Sequence, residues 1–123
     1  MKTILVIEDN SEIRENTAEL LELNGYQVLS AENGAKGFQL ATKHCPDLIL
    51  CDMMMPETDG RAFLDLAKSN AVVASIPLIF FSAGSPTPEV KRSLIKQADG
   101  YLPKPFAEEE LLGLIENALG KDH

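Results

Sequence analysis

Hydrophobic positions along this chain fall into two kinds of segment that alternate: short continuous apolar runs, and longer stretches with apolar residues at helical spacing. The first run is Ile4-Leu5-Val6-Ile7. It is continuous, not alternating, which suits a strand covered on both faces in a parallel sheet. Ile13, Thr17, Leu20, Leu21 and Asn24 then follow helical spacing, and Gly25 is placed to end that helix. Tyr26 to Ala31 predicts a second, weaker strand, and a short helix from about Ala35 to His44 would bury Phe38 and Ala41. Leu48-Ile49-Leu50-Cys51 is the third strand. After a loop with Pro56 and Gly60, the segment from Arg61 to Lys68 predicts a helix through Phe63, Leu66 and Ala67. Pro77 opens the fourth strand, Leu78-Ile79-Phe80-Phe81. Thr87 and Pro88 read as a helix N-cap with proline at the first helical position, and Val90, Leu94 and Ile95 supply that helix's buried face. Gly100-Tyr101-Leu102 is a short fifth strand; Leu111, Leu112, Ile115 and Leu119 face the core from a last helix, which Gly120 terminates.

This is a (βα)5 pattern. It predicts an α/β fold, doubly wound, with a five-stranded parallel sheet and helices on both faces. No repeat, low-complexity stretch or linker interrupts it, so residues 1–123 are expected to form one domain. The composition, 45% hydrophobic and 24% charged, is that of an ordinary globular chain. No apolar run approaches the roughly 18 residues of a membrane span, and no signal-peptide pattern precedes the first strand. A cytoplasmic location with no membrane association is therefore expected. The net charge of -8 would repel DNA and RNA, which argues against direct nucleic-acid binding by this chain. Cys45 and Cys51 form no zinc or redox pattern, Cys51 reads as a small buried residue, and no disulfide is expected. His44 and His123 have no evident ligand partners.

In an open parallel sheet, sites lie outside the carboxyl ends of the strands. Glu8 and Asp9 follow the first strand, Asp52 the third, Ser82 the fourth and Lys104 the fifth. Taken singly, each has a plain structural reading: acids after strands cap helices or sit in solvated turns, serine forms turns, and lysine is surface. Gathered at one edge, they are three carboxylates, a hydroxyl and an ammonium. Clustered carboxylates repel, which raises at least one pKa unless a cation neutralises them. Mg2+, with Mn2+ as an alternative, fits an all-oxygen set built from Asp9 and Asp52, with Glu8 direct or through water. An aspartate can act as a nucleophile in phosphoryl transfer, and Lys104 offers a compact positive charge to the carboxylate and to a phosphoryl oxygen.

Four motifs carry a resemblance. They are Ile7-Glu8-Asp9; Asp52-Met53-Met54-Met55-Pro56-Glu57-Thr58-Asp59-Gly60; Phe81-Ser82-Ala83; and Asp99-Gly100-Tyr101-Leu102-Pro103-Lys104-Pro105-Phe106. In this order and spacing the chain resembles, over nearly all its length, the CheY-like receiver domains of two-component response regulators. The strand order 2-1-3-4-5 comes from that resemblance alone. The resemblance also implies roles. Asp52 corresponds to the phosphoacceptor, Glu8 and Asp9 to the acidic metal pair, and Met54 to a metal ligand through its backbone carbonyl. Lys104 corresponds to the lysine that contacts the acyl phosphate, Ser82 to the switch hydroxyl, and Tyr101 to the aromatic that turns inward. It further implies a phosphohistidine donor, on a sensor histidine kinase or a histidine phosphotransfer domain. The changing surface would be the face of the last two helices and the fifth strand, controlling an output partner whose identity the sequence does not carry. Glu8 stands where many members have Asp, and Ser82 where Thr is frequent; both keep the chemistry.

Other readings make distinct expectations. A phosphatase built on a nucleophilic aspartate carries a second acid two residues on, where this chain has Met54. A nucleotide-binding first turn would be rich in glycine or hydroxyls, where this one is acidic. The chain is thus expected to accept phosphate rather than turn over a substrate. A protein-binding module on the same fold that works without phosphorylation is the remaining alternative. Met1 so close to the first strand favours a natural start, although a receiver belonging to a longer protein reads equally from the motifs.

Overall fold

Leu48 to Asp52 are all buried, and this strand sits at the middle of the sheet. The computed structural model describes residues 1–53, 60–82, 88–89, 92, 96, 98–103 and 106–120, with only the backbone of Gly60, Arg61 and Ser82. Its strands are β1 (Thr3–Ile7), β2 (Gln27–Ala31), β3 (Leu48–Asp52), β4 (Leu78–Ser82) and β5 (Gly100–Pro103). They form one parallel sheet in the order β2-β1-β3-β4-β5, as expected. The helices are α1 (Ser11–Leu23), α2 (Gly34–His44), α3 (Gly60–Lys68), a short α4 (Ala71–Ala74) and α5 (Glu108–Gly120). Pro88, Glu89 and Arg92 are also helical. Thr87, Val90, Leu94 and Ile95 of the helix expected there, together with Met54, Lys104 and His123, lie outside the described residues.

Side chains alternate across each strand, so one run feeds two cores. Ile4, Val6, Leu48, Leu50, Ile79 and Phe81 meet Leu21 of α1 and Leu111, Ile115 and Ala118 of α5. Leu5, Ile7, Ile49, Cys51 and Phe80 meet Ala41 of α2, Phe63, Leu64 and Ala67 of α3, and Val73 of α4. Both faces are covered, which is why the runs are continuous.

The helices differ from expectation in detail. In α3, Leu64 is buried and Leu66 is 36% exposed. With 3.6 residues per turn, positions 63, 64 and 67 share a face that position 66 leaves. Helix α4 lay unread in the sequence, since four residues show no periodicity; Asn70 starts it by accepting from the Val72 and Val73 N–H groups. Asn10 and Asn33 cap α1 and α2 in the same manner. Gly25, past the end of α1, has φ +91, a conformation that favours glycine, as the sequence led us to expect. Helix α2 comes so close to β1 that a β-carbon on Gly37 would stand 2.4 Å from Ile7 Cδ1.

Two aspartates lock strand starts opposite the carboxyl edge. Asp47 accepts from the Thr3 N–H at 2.7 Å and returns its own N–H to the Thr3 carbonyl at 2.8 Å. Asp99 does the same to Leu78, at 2.8 and 2.7 Å.

Candidate functional site

The carboxyl ends of β1 and β3 carry the acids, and ladder bonds that run past the strands hold them there. The Glu8 N–H donates to the Ala31 carbonyl at 3.0 Å, one residue beyond β1. The Met53 N–H donates to the Phe81 carbonyl at 2.8 Å, one residue beyond Asp52. The backbone at Glu8 and Asp52 is thereby fixed on neighbouring strands.

Between β1 and α1 the turn is held from both sides. The Asn10 side chain accepts from the Ile13 N–H at 2.9 Å, while its N–H donates to Glu8 Oε1 at 3.1 Å. Arg14, one turn into α1, sends Nη1 back to the Glu8 carbonyl at 2.8 Å and the Asp9 carbonyl at 3.4 Å. Neither Asn10 nor Arg14 was singled out in the sequence. Asn10 precedes the first helical positions and is an N-cap signal open to reading. Arg14 leaves no such signal, because its partners are main-chain carbonyls.

Among the described residues, Glu8, Asp9 and Asp52 form a group of acids able to hold a metal ion, with ligand oxygens all within 4.8 Å of one another. Glu8 is 1% and Asp52 2% exposed, whereas Asp9 faces solvent. The Glu8 carboxyl is pushed up to about 8, mainly by burial and next by a hydrogen bond to the Asp52 side chain, with the Asn10 N–H opposing and the Asp52 charge and a bond to Asp9 adding. Two carboxyls can share such a bond only if one keeps its proton. When both are ionised, Glu8 Oε2 is buried with no donor among the described residues. A divalent cation bound there would supply the missing partner and remove the repulsion. An all-oxygen set with one solvent-facing acid suits a hard ion that keeps part of its water.

The other expected site residues are placed as follows. Ser82 ends β4 and pairs in register with Pro103, and Lys104 comes next in the chain. Tyr101 is half-buried against the core beneath α2 and α3. Phe63, Phe80 and Phe81 are core, as is Met53. The structure thus brings Glu8, Asp9 and Asp52 together; the Ser82 side chain, Met54 and Lys104 lie outside what it describes. Cys45 is exposed and Cys51 buried. Among the described residues no helix is long and apolar enough to cross a membrane.

Beside the acidic turn, Arg14, Ser30, Glu32, Lys36 and Lys43 line an open cleft between α1 and α2. Lys36 pairs with Glu32 within it.

Comparison with known proteins agrees with this arrangement. The chain is 36% identical over 115 residues to the phosphate regulon transcriptional regulatory protein PhoB of Klebsiella pneumoniae, covering 94% of this chain and 50% of that protein. It is 37% identical over 116 residues to the response regulator MprA of a Mycobacterium species, again covering 94% of this chain and 50% of the relative. The chain therefore spans about half the length of these curated relatives. Among solved structures, a response regulator receiver domain protein from Clostridium thermocellum superposes with a TM-score of 0.87 at 29% identity, covering 99% of this chain and 97% of that one. The family model described as the response regulator receiver domain matches residues 4–116, and the chain belongs to that family.

Proposed function

We propose that residues 1–123 form one receiver domain that works as a phosphorylation-dependent switch in two-component signalling. Asp52 is the acceptor. The observation that carries this reading is the Glu8–Asp9–Asp52 group at the carboxyl edge of the sheet, two of its acids buried, with Glu8 Oε2 lacking a donor among the described residues. Glu8, Asp9, Asp52 and the Met54 carbonyl would hold Mg2+, or Mn2+ in its place. When bound, the ion neutralises the acids and offers charge to phosphoryl oxygens.

The chain's own residues do the rest. An Asp52 carboxylate oxygen attacks the phosphorus of a phosphohistidine on a sensor histidine kinase or a histidine phosphotransfer domain. A phosphorus–oxygen bond forms, the phosphorus–nitrogen bond breaks, and the imidazole leaves with a proton from solvent. The product is an acyl phosphate on Asp52. Lys104 and Ser82 then contact the phosphoryl oxygens, and Tyr101 turns toward the space that the hydroxyl vacates. Each phosphoryl group is accepted rather than turned over. The register pair of Ser82 and Pro103 supports this part, since it sets Ser82 beside the strand that leads to Lys104. The altered surface controls an output partner, a separate protein or a further domain. A cytoplasmic location suits this role.

Intact-protein mass after incubation with acetyl phosphate tests the reading, with Mg2+ or with EDTA, in the wild type and Asp52→Asn. The expected result is one phosphoryl adduct that needs Mg2+ and is lost in the variant. No adduct in any condition, and no trapped beryllofluoride complex, would leave a binding module that works without phosphorylation.

A further inference from the structure

We propose that Arg14 is the positioning residue of the acidic site: its guanidinium clamps the Glu8 and Asp9 carbonyls and so aims both carboxylates at the cation. The inference rests on the metal-binding reading above and names the device that makes it work.

The argument begins with repulsion. Once all three acids are ionised, as a bound cation requires, carboxylates within 4.8 Å push apart, and two of them sit on consecutive residues of a turn. Glu8 has its backbone tied to β2 through the Ala31 carbonyl. Asp9 is exposed and stands between the end of β1 and the cap of α1. Without a further restraint, rotation of the Glu8–Asp9 peptide would carry the Asp9 carboxylate away from Glu8 and Asp52 and relieve the charge. Arg14 opposes that rotation. One Nη1 reaches both carbonyls, at 2.8 and 3.4 Å, from a helix whose own start is fixed by Asn10. The bond to Glu8 is partly shielded from water, and a charged donor makes it stronger than a neutral one.

Its target also matters. Arg14 bonds main-chain oxygens, not the carboxylates, so it holds the acids in place without occupying the atoms a cation needs. The guanidinium lines the cleft shared with Lys36 and Lys43, which gives a matched control for its charge. Lysine at position 14 would keep the charge but lose the planar guanidinium, whose Nη1 holds two N–H groups in fixed directions for the two carbonyls.

The test is Mn2+ affinity, read from the free-ion resonance signal, for wild type, Arg14→Lys, Arg14→Gln and Lys43→Gln, with thermal melts alongside. Loss of a partner that orients metal ligands typically weakens binding about tenfold or more. Both Arg14 variants should weaken Mn2+ by about that factor while Lys43→Gln stays within about twofold. Amide exchange at Asn10, whose N–H is held by Glu8 Oε1, should quicken in Arg14→Lys at an unchanged melting temperature. This readout holds even if Arg14→Gln folds poorly. Wild-type affinity in Arg14→Lys would overturn the clamp, and an equal loss in Lys43→Gln would reduce Arg14 to one more charge in the cleft. Failure of the wild type itself to bind Mn2+ would instead overturn the metal reading beneath the proposal.

Discussion

Glu8 is the residue where stability and chemistry pull apart. A carboxyl that is 1% exposed beside a second buried acid weakens the metal-free fold, and functional sites commonly carry such costs. The sign of its pH dependence follows from the direction of the shift. Folding raises this pKa from the ordinary 4.5 to about 8, so the folded state holds the proton more tightly than the unfolded chain. The stabilisation is complete below 4.5 and is lost as pH rises toward about 8. Glu8→Gln keeps the shape and carries no titrating proton. In EDTA the wild type should therefore lose stability relative to Glu8→Gln between pH 5 and 8, and Mg2+ should restore much of the loss in the wild type alone. Urea denaturation at several pH values checks this. Parallel curves for the two proteins would mean that Glu8 ionises as freely in the fold as in the unfolded chain.

Elements are fastened at the edge of the sheet that carries no chemistry. Asp47 and Asp99 each exchange two bonds with the first residue of a neighbouring strand. Alanine at position 99 would strand the Leu78 N–H and cost about 1–2 kcal/mol, whereas asparagine keeps an acceptor oxygen and should cost less than half of that. Chemical denaturation of both variants separates the lost acceptor from the lost charge, and equal losses would assign the effect to charge. These pincers are invisible in sequence, because an aspartate before a strand looks like any turn residue. The strands themselves were legible. Ile4–Ile7, Leu48–Cys51 and Leu78–Phe81 are continuous apolar runs, and burial on both faces is what such runs require. The acids of the site were legible for a related reason, since once the sheet is parallel its carboxyl edge collects whatever follows each run. What escaped was set by backbone partners or by brevity: Arg14 on two carbonyls, α4 with four residues, and the exchange of Leu66 for Leu64 on the buried face of α3. The cap at Asn10 does leave a signal in the sequence, an asparagine directly before the first helical positions of α1.

At the scale of the whole molecule, the proposed function requires that a charge added at Asp52 reach a surface. The sheet supplies a continuous path. Asp52 pairs with Phe81, Phe80 pairs with Tyr101, and Ser82 pairs with Pro103, so β4 stands between Asp52 and β5. On the far side of β1, β2 ends at Ala31 and contacts β1 alone within the sheet. A switch with a coupling energy of about 1–3 kcal/mol shifts the population of an alternative arrangement about 5- to 150-fold. Such a shift should be visible residue by residue. On adding acetyl phosphate to protein already saturated with Mg2+, the amide resonances of Tyr101, Leu102 and Phe106 should move, while those of Gln27 and Val28 stay within the small change expected of distant residues. Asp52→Asn should show no movement. Tyr101→Ala should still take up phosphate, because Tyr101 lies outside the acid group, yet should transmit less of the change to α5. Movement confined to Glu8, Asp9 and Asp52 would separate the two halves of the proposal: the domain would accept phosphate, but the β4–β5 side would carry no signal, and the responding surface would have to be sought on the α1 and α2 side of the sheet.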